Sequence, residues 1–325
     1  MTKAIRFSET GGPDVLTLED IPQPEPGPGQ IRVSNRAIGL NYIEIYFRSG
    51  VYPVPSLPSG LGTEGAGVVD AIGADVTDFQ VGDRVAYAQA PLGSYAEQHV
   101  LPAEKAIGIP DDVDFETAAA TMLKGLTVQY LLRQTYPVKA GETILFHAAA
   151  GGVGLIACQW AKALGVKLIG TVSGPEKAKL AMDHGAWATI NYKEENIVER
   201  VRELTNGDMV PVVYDSVGKD TWETSLDCLQ KRGLMVSFGN TTGPVSGVNI
   251  GILNQKGSLF VTRPSLAGYA DTRPRFEAMC GELFEMLSSG AIKADINQRF
   301  PLAEVAKAHE ALASGQTTGS TVLLP

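Results

Sequence analysis

Thr143-Ile144-Leu145-Phe146-His147-Ala148-Ala149-Ala150-Gly151-Gly152-Val153-Gly154-Leu155-Ile156-Ala157-Cys158-Gln159-Trp160-Ala161-Lys162-Ala163-Leu164 decides the fold. Thr143–His147 is a short apolar run of the kind that forms a buried strand. From Val153 the apolar residues fall at Val153, Ile156, Ala157, Trp160, Ala161 and Leu164, which is helical spacing, and Gly165 supplies the stop. Glycines between a strand and a helix allow a tight turn and leave room for a pyrophosphate to approach the backbone. The helix N-terminus then offers unpaired N–H groups and the positive end of its dipole.

The alternation continues outward from that stretch. Val166–Val172 reads as the next strand, Pro175 opens a helix that ends at Gly185, and Ala188–Ile190, Val210–Tyr214, Leu234–Phe238 and Ser258–Thr262 supply four more strands. Strands alternating with helices predict an α/β doubly wound parallel sheet of the Rossmann type. Upstream the rhythm differs. Ile31–Val33, Gly67–Val69 and Arg84–Tyr87 are short β-like runs broken by Gly, Pro and Asp, so this part reads as a β-rich domain. Pro22–Pro28 reads as an extended connection between two of its strands. The reading is therefore residues 1–125 as a β-rich catalytic domain, 126–265 as a dinucleotide-binding domain, and 266–325 returning to the first. That last part carries an amphipathic helix (Phe276, Met279, Leu283, Phe284, Leu287) and a final apolar run, Thr321–Leu324.

Composition narrows the function. The chain has 325 residues, 44% hydrophobic and 19% charged, which suits about two globular domains. Its 27 Lys and Arg stand against 36 Asp and Glu, a net charge of −9, so a nucleic-acid or anionic-membrane surface is disfavoured. Met1–Arg6 lacks the apolar core of a secretory leader, and no uncharged apolar run reaches the length of about 18 residues needed to span a bilayer. Cys158, Cys228 and Cys280 are odd in number and far apart, arguing against disulfides. They show no Cys-x-x-Cys spacing with any of His99, His147, His184 or His309, so no metal site is expected. A cytoplasmic protein is the expectation.

NAD-selective sites of this architecture carry an acid about 20 residues past the glycine turn, where it binds the ribose 2′-hydroxyl. Here the stretch reads Gly170-Thr171-Val172-Ser173-Gly174-Pro175-Glu176-Lys177. Small hydroxyl and glycine residues with a lysine suit a 2′-phosphate, and Glu176 suits the helix dipole, so NADPH is the expected cofactor. Lys177 as a solvated surface cation is the alternative. With no metal set, no hydrolase elbow and no acid–base pair, the chemistry expected is hydride transfer to an electron-poor carbon, as in quinones or conjugated enones.

The chain resembles a known family through Gly39–Gly50 (GLNYIEIYFRSG), Leu57–Gly65 (LPSGLGTEG), Val81–Val85 (VGDRV), Leu123–Thr127 (LKGLT) and the Ala-Ala-Ala-Gly-Gly-Val-Gly turn. Together these resemble the zinc-independent medium-chain reductases, specifically NADPH:quinone oxidoreductases of the zeta-crystallin type, over essentially the whole chain. The resemblance implies a GroES-like catalytic domain, a Rossmann domain, NADPH in the cleft between them, a quinone substrate and a homodimer. It places Asn41 and Tyr46 near the nicotinamide, and Thr127 in the stretch facing its carboxamide. Gly152 and Val153 match the pyrophosphate turn. Ser173, Lys177 and Tyr192 match the 2′-phosphate and adenine-ribose pocket, and Phe238, Gly239, Asn240 and Arg263 the far wall of the cofactor site. Tyr46, Tyr52 and Arg263 would flank the quinone.

Each carry-over has a plainer alternative: Tyr46 and Tyr52 as packing residues, Arg263 as a surface ion-pair residue, Asn41 as a turn residue. Two departures stand out. The Gly-His-Glu motif of the zinc enzymes reads Gly62-Thr63-Glu64, which removes a metal-ligating histidine and leaves Glu64 a structural acid. Near the C-terminus, where a bacterial member of that family has an arginine touching the cofactor, this chain reads Ser314-Gly315-Gln316-Thr317. Reduction of conjugated enones is the competing activity, and a non-catalytic NADPH-binding or RNA-binding protein the competing class.

Overall fold

The computed structural model describes residues 1–325. It divides into two compact units, the first comprising Met1–Leu126, Thr272–Ser288 and Ala294–Pro325, the second Thr127–Asp271 and Ser289–Lys293.

The second unit is built on one six-stranded sheet. Its order across the sheet is Ala188–Asn191, Lys167–Val172, Thr143–Phe146, Val210–Asp215, Leu229–Ser237 and Phe260–Thr262, and every neighbouring pair is parallel. That order runs outward in both directions from the first strand in the chain, so the winding reverses beside Thr143–Phe146. In such sheets ligands bind outside the carboxyl ends of the strands at this reversal. The doubly wound α/β sheet read from the sequence is therefore the fold of this unit. The helix Gly152–Ala163 follows the first strand directly and buries Leu155, Ile156 and Trp160, each worth roughly 1.5–3 kcal/mol of apolar burial.

Two strand starts differ from the sequence reading by more than one residue. The fifth strand begins at Leu229 rather than Leu234, because Gln230, Lys231 and Arg232 look like a turn; Arg232 has φ +61° and the register shifts there. The sixth begins at Phe260, since Ser258 (φ +59°) closes the preceding turn.

The first unit holds two sheets. A three-stranded one runs Thr17–Ile21, Thr2–Phe7, Ser59–Gly60. The larger is centred on Gln30–Leu40, which pairs antiparallel with Gly65–Ile72, Gln98–Pro102 and the C-terminal Ser320–Leu324. Pro22–Pro28 links Thr17–Ile21 to Gln30–Leu40, and its Pro24 carbonyl accepts from Arg32 Nη1 at 3.1 Å. Glycine is dictated at Gly67, where a Cβ would lie 2.1 Å from the Ser34 carbonyl across the strand pair. The core beneath the three-stranded sheet collects Ile5, Phe7, Ile38, Leu40, Leu61, Tyr95 and Leu323. The helix Arg273–Ser288 buries Phe276, Met279, Cys280, Leu283 and Phe284.

Candidate functional site

In the second unit the glycine turn sits at the carboxyl end of Thr143–Phe146. Ala148 adopts φ +56°, a left-handed conformation costly for a residue with a Cβ. Gly151 caps the helix in extended conformation with no side-chain cap, and the first intrahelical backbone bond is Leu155 N–H to the Gly151 carbonyl at 2.9 Å. The N–H groups of Gly152, Val153 and Gly154 precede that bond, so none has a helical acceptor. At Gly154 a Cβ would lie 2.4 Å from the Ala148 carbonyl and 2.6 Å from Ala149 backbone atoms, so only glycine lets the turn fold back this tightly. These features fit a pyrophosphate: bare N–H donors, a dipole end, and a backbone open to close approach.

The neighbouring strand ends carry the residues expected for a 2′-phosphate. Ser173 and Gly174 follow Lys167–Val172, Lys177 lies one turn into the helix Pro175–Asp183, and Tyr192 follows the adjacent strand, its N–H bonded to the Val172 carbonyl at 3.1 Å. Tyr192 is half exposed (51%), and no Asp or Glu stands at the end of the second strand. At Gly174 a Cβ would meet nothing within 4 Å, which leaves space beside Ser173. This residue set fits NADPH better than NADH.

On the other side of the reversal, Phe238 and Gly239 donate their N–H groups to the Asp215 carbonyl at 2.8 and 3.3 Å. Gly239 abuts Ser216, whose carbonyl would lie 2.4 Å from a Cβ there. Arg263 donates to the Ser237 carbonyl at 2.9 Å and, with the Asn240 amide oriented to satisfy its neighbours, to Asn240 at 3.1 Å. Phe238, Gly239, Asn240 and Arg263 are thus brought together. Thr127 is hydrogen-bonded to Tyr130, whose ring stacks on Tyr269 at 4.7 Å.

The first unit gathers a different set. Tyr46 and Tyr52 do come together, with ring centroids 5.0 Å apart, and Tyr42 and Phe47 complete the aromatic cluster. Tyr46 is only 8% exposed, so it also serves the packing role the sequence left open. Asn41 precedes the helix Tyr42–Arg48, whose Glu44 accepts the Asn41 N–H at 2.8 Å. The Asn41 side-chain amide donates to Glu64 at 2.7 Å.

Sequence reasoning missed the buried charge set around Asn41. Glu64 also accepts from Leu123 N–H at 2.5 Å and faces Lys124 Nζ at 3.9 Å, while Lys124 donates to the Leu40 carbonyl at 3.3 Å. Thr63, standing at the lost histidine position, donates instead to Glu44 at 3.2 Å. Burial raises both carboxyls. Glu44 is pushed up to about 8 by desolvation and then by Glu64. Glu64 is raised by burial against the opposing pull of Lys124, Asn41 and Leu123. At neutral pH Glu44 therefore carries its proton, and Glu64 faces two hydrogen-bond donors and the Lys124 ammonium. Gly39 is glycine for this reason: a Cβ there would lie 2.0 Å from Glu64 Oε2. Beyond Glu64, already read as a structural acid, the sequence signal was an acid inside Tyr42-Ile43-Glu44-Ile45-Tyr46-Phe47, an otherwise apolar and aromatic run.

The three cysteines are unpaired and buried, and no group of three His, Cys, Asp or Glu side chains is placed to hold a metal ion. Ser314–Thr317 follows the helix Val305–Ala313 and begins as a hydrogen-bonded C-terminal cap, with Gly315 at φ +68° and the Gln316 N–H on the Ala311 carbonyl at 3.2 Å.

Comparison with known proteins places these features in context. Residues 27–111 match the alcohol dehydrogenase GroES-like domain, and residues 152–283 match the zinc-binding dehydrogenase family. The chain is 67% identical over 325 residues to a quinone oxidoreductase of Pseudomonas aeruginosa, covering 100% of both. It is 44% identical to a 2-haloacrylate reductase from a Burkholderia species, covering 100% of this chain and 99% of the other. The solved Escherichia coli quinone oxidoreductase complexed with NADPH superposes with a TM-score of 0.98 at 57% identity, covering 99% of this chain and 100% of that one.

Proposed function

The chain belongs to the NADPH-dependent quinone oxidoreductases of the medium-chain dehydrogenase/reductase family, and we propose that two sets of its residues, one in each unit, divide the work of that reaction. Bound NADPH supplies the hydride that reduces the quinone ring.

On the second unit, the N–H groups at Gly152 and Val153 hold the pyrophosphate, and Ser173, Lys177 and Tyr192 hold the 2′-phosphate and its ribose. Phe238, Gly239 and Asn240 line the cofactor's opposite side, and Thr127 faces its carboxamide. The observation that carries this assignment is the turn itself: Ala148 is held left-handed and Gly154 has no room for a side chain, at an uncapped helix end beside the sheet's reversal.

On the first unit, Asn41 and Tyr46 serve the nicotinamide end. Glu64 fixes the Asn41 amide, and the Lys124 ammonium favours the charged form of Glu64 against its burial. Tyr46 and Tyr52 offer aromatic faces to a flat acceptor. Hydrogen-bond donors suit an oxygen that gains negative charge as the ring is reduced, and resonance leaves no need for a general base in that step. The test is steady-state NADPH oxidation with 1,4-benzoquinone. Tyr52→Leu should raise the quinone KM and leave the NADPH KM unchanged; equal quinone KM values would remove Tyr52 from the substrate assignment.

The protein is further inferred to be a homodimer. Phe260–Thr262 is an edge strand with Phe260 60% and Val261 39% exposed, an apolar edge that a second copy can pair with and cover. Phe260→Asp should give a monomer in sedimentation; an unchanged dimer would place the interface elsewhere. Three buried, unpaired cysteines suit a reducing compartment, so the cytoplasm is the proposed location.

A further inference from the structure

Four polar side chains in the second unit are buried together and form one continuous chain. Asp215, at the end of Val210–Asp215, has a carboxylate that is saturated. Its Oδ1 accepts the N–H groups of Val217 at 2.7 Å and Gly218 at 3.0 Å, and its Oδ2 accepts the hydroxyls of Thr221 and Ser225, both at 2.7 Å. Ser225 Oγ lies 2.9 Å from His147 Nε2, His147 Nδ1 lies 3.0 Å from Thr171 Oγ1, and Thr171 Oγ1 accepts the Ala148 N–H at 3.3 Å.

The direction of every bond in this chain is fixed. A carboxylate only accepts, so the single Ser225 proton points at Asp215. Ser225 must then accept from His147, which places the imidazole proton on Nε2. Burial pushes the His147 pKa down, against the pull of Asp215, so the ring is neutral and Nδ1 is a bare acceptor. Thr171 therefore donates to Nδ1 and has its oxygen left for the Ala148 N–H. Ala148 is the residue held at φ +56° at the start of the pyrophosphate turn.

We propose that Asp215, Ser225, His147 and Thr171 form a positioning relay that holds the pyrophosphate turn in its binding conformation and ties it to the opposite side of the cofactor site. The tie runs through the same acid, because the loop it anchors, Ser216–Gly218, packs against Gly239, and the Asp215 carbonyl receives the N–H groups of Phe238 and Gly239. Ser225 and His147 thus act on NADPH binding through Thr171 and not by contact. All four side chains are at most 2% exposed, and Ala or Val at Ser225 or Thr171 would pack there without the desolvation a hydroxyl suffers. A relay with one allowed proton order gives those hydroxyls a purpose that packing does not. The inference rests on the reading of Ala148–Gly154 as the pyrophosphate turn.

The experiment titrates NADPH fluorescence in the full-length protein carrying Thr171→Val, Thr171→Ser, Ser225→Ala or Thr171→Val with Ser225→Ala, and titrates 2′-AMP alongside. Thr171→Val is expected to weaken NADPH by roughly 5- to 30-fold. 2′-AMP, which has no pyrophosphate, should bind as it does to the native protein, and kcat at saturating NADPH should hold within about twofold. Thr171→Ser should restore near-native binding, Ser225→Ala should match Thr171→Val, and the double variant should be no worse than either. NADPH affinity unchanged in Thr171→Val, or a double variant whose losses multiply, would overturn the relay. Should Ser225→Ala not fold, the Thr171→Val and Thr171→Ser pair decides. Gly154→Ala separates the premise: native NADPH affinity there would refute the turn reading itself.

Discussion

Replacing Lys124 by methionine keeps the length of the side chain and removes the ammonium 3.9 Å from Glu64. Both partners are inside, Lys124 at 8% and Glu64 at 0% side-chain exposure, so solvent screens little of the pair. At an effective dielectric constant near 20, two unit charges at that separation attract by roughly 4 kcal/mol. Breaking a buried pair costs about 3–5 kcal/mol, since the remaining charge stays desolvated. The loss should appear in the unit that holds the pair, read by native-state hydrogen exchange along Gln30–Leu40, the strand whose Gly39 abuts Glu64.

The pH dependence has a definite sign. Glu64 is already raised by burial, and without Lys124 it rises further above its usual 4.5. A carboxyl raised on folding contributes its full stability below the unfolded value and loses it as pH rises through the folded one. The deficit of Lys124→Met should therefore be small near pH 4.5 and largest in alkaline solution. Adding Glu64→Gln should recover most of it, because no buried charge is then left without a partner. A deficit below about 1 kcal/mol, a deficit that ignores pH, or strictly additive variants would refute this account of the pair.

The remaining predictions concern single groups. Glu44, pushed up to about 8, should cost the native protein stability progressively as pH rises from 4.5 to 8, and Glu44→Gln should flatten that decline in thermal melts; an unchanged slope assigns the decline to other groups. Gly154→Ala should lower the melting temperature and weaken NADPH, because its Cβ meets backbone at 2.4 Å, with about 1–3 kcal/mol at stake, whereas Gly174→Ala, with nothing within 4 Å, should melt as the native protein does. Equal melts for the two glycine variants would contradict the steric reading. Lys177→Ala should raise the NADPH KM about 10- to 100-fold, the worth of one charge-assisted contact of roughly 1.5–3 kcal/mol, and leave the NADH KM unchanged. Parallel changes for both cofactors would remove Lys177 from the 2′-phosphate pocket.

The strand–turn–helix of Thr143–Leu164 was legible because its information is local: a buried strand, glycines, then one helical face. The parallel sheet followed from the alternation of such units. Leu229–Gly233 was not legible as strand, because Gln230, Lys231 and Arg232 read as polar turn residues while their backbone still pairs. The buried chemistry was harder still. Glu64 and Lys124 are 60 positions apart, and His147, Thr171 and Ser225 come from two strand ends and a helix. Their meeting depends on topology, and no spacing along the chain encodes it. Asn41 could be singled out by resemblance, but the acid that fixes its amide became visible only once Gly65–Ile72 was paired beside Gln30–Leu40.

The central claim is hydride transfer from NADPH to a quinone, and anaerobic oxidation of NADPH and of NADH tests it most directly, with 1,4-benzoquinone, 9,10-phenanthrenequinone and 1-octen-3-one as acceptors. The account predicts turnover of both quinones with NADPH at a kcat/KM far above that with NADH, and little reaction with the enone. Turnover of the enone alone, or equal use of the two cofactors, would contradict it.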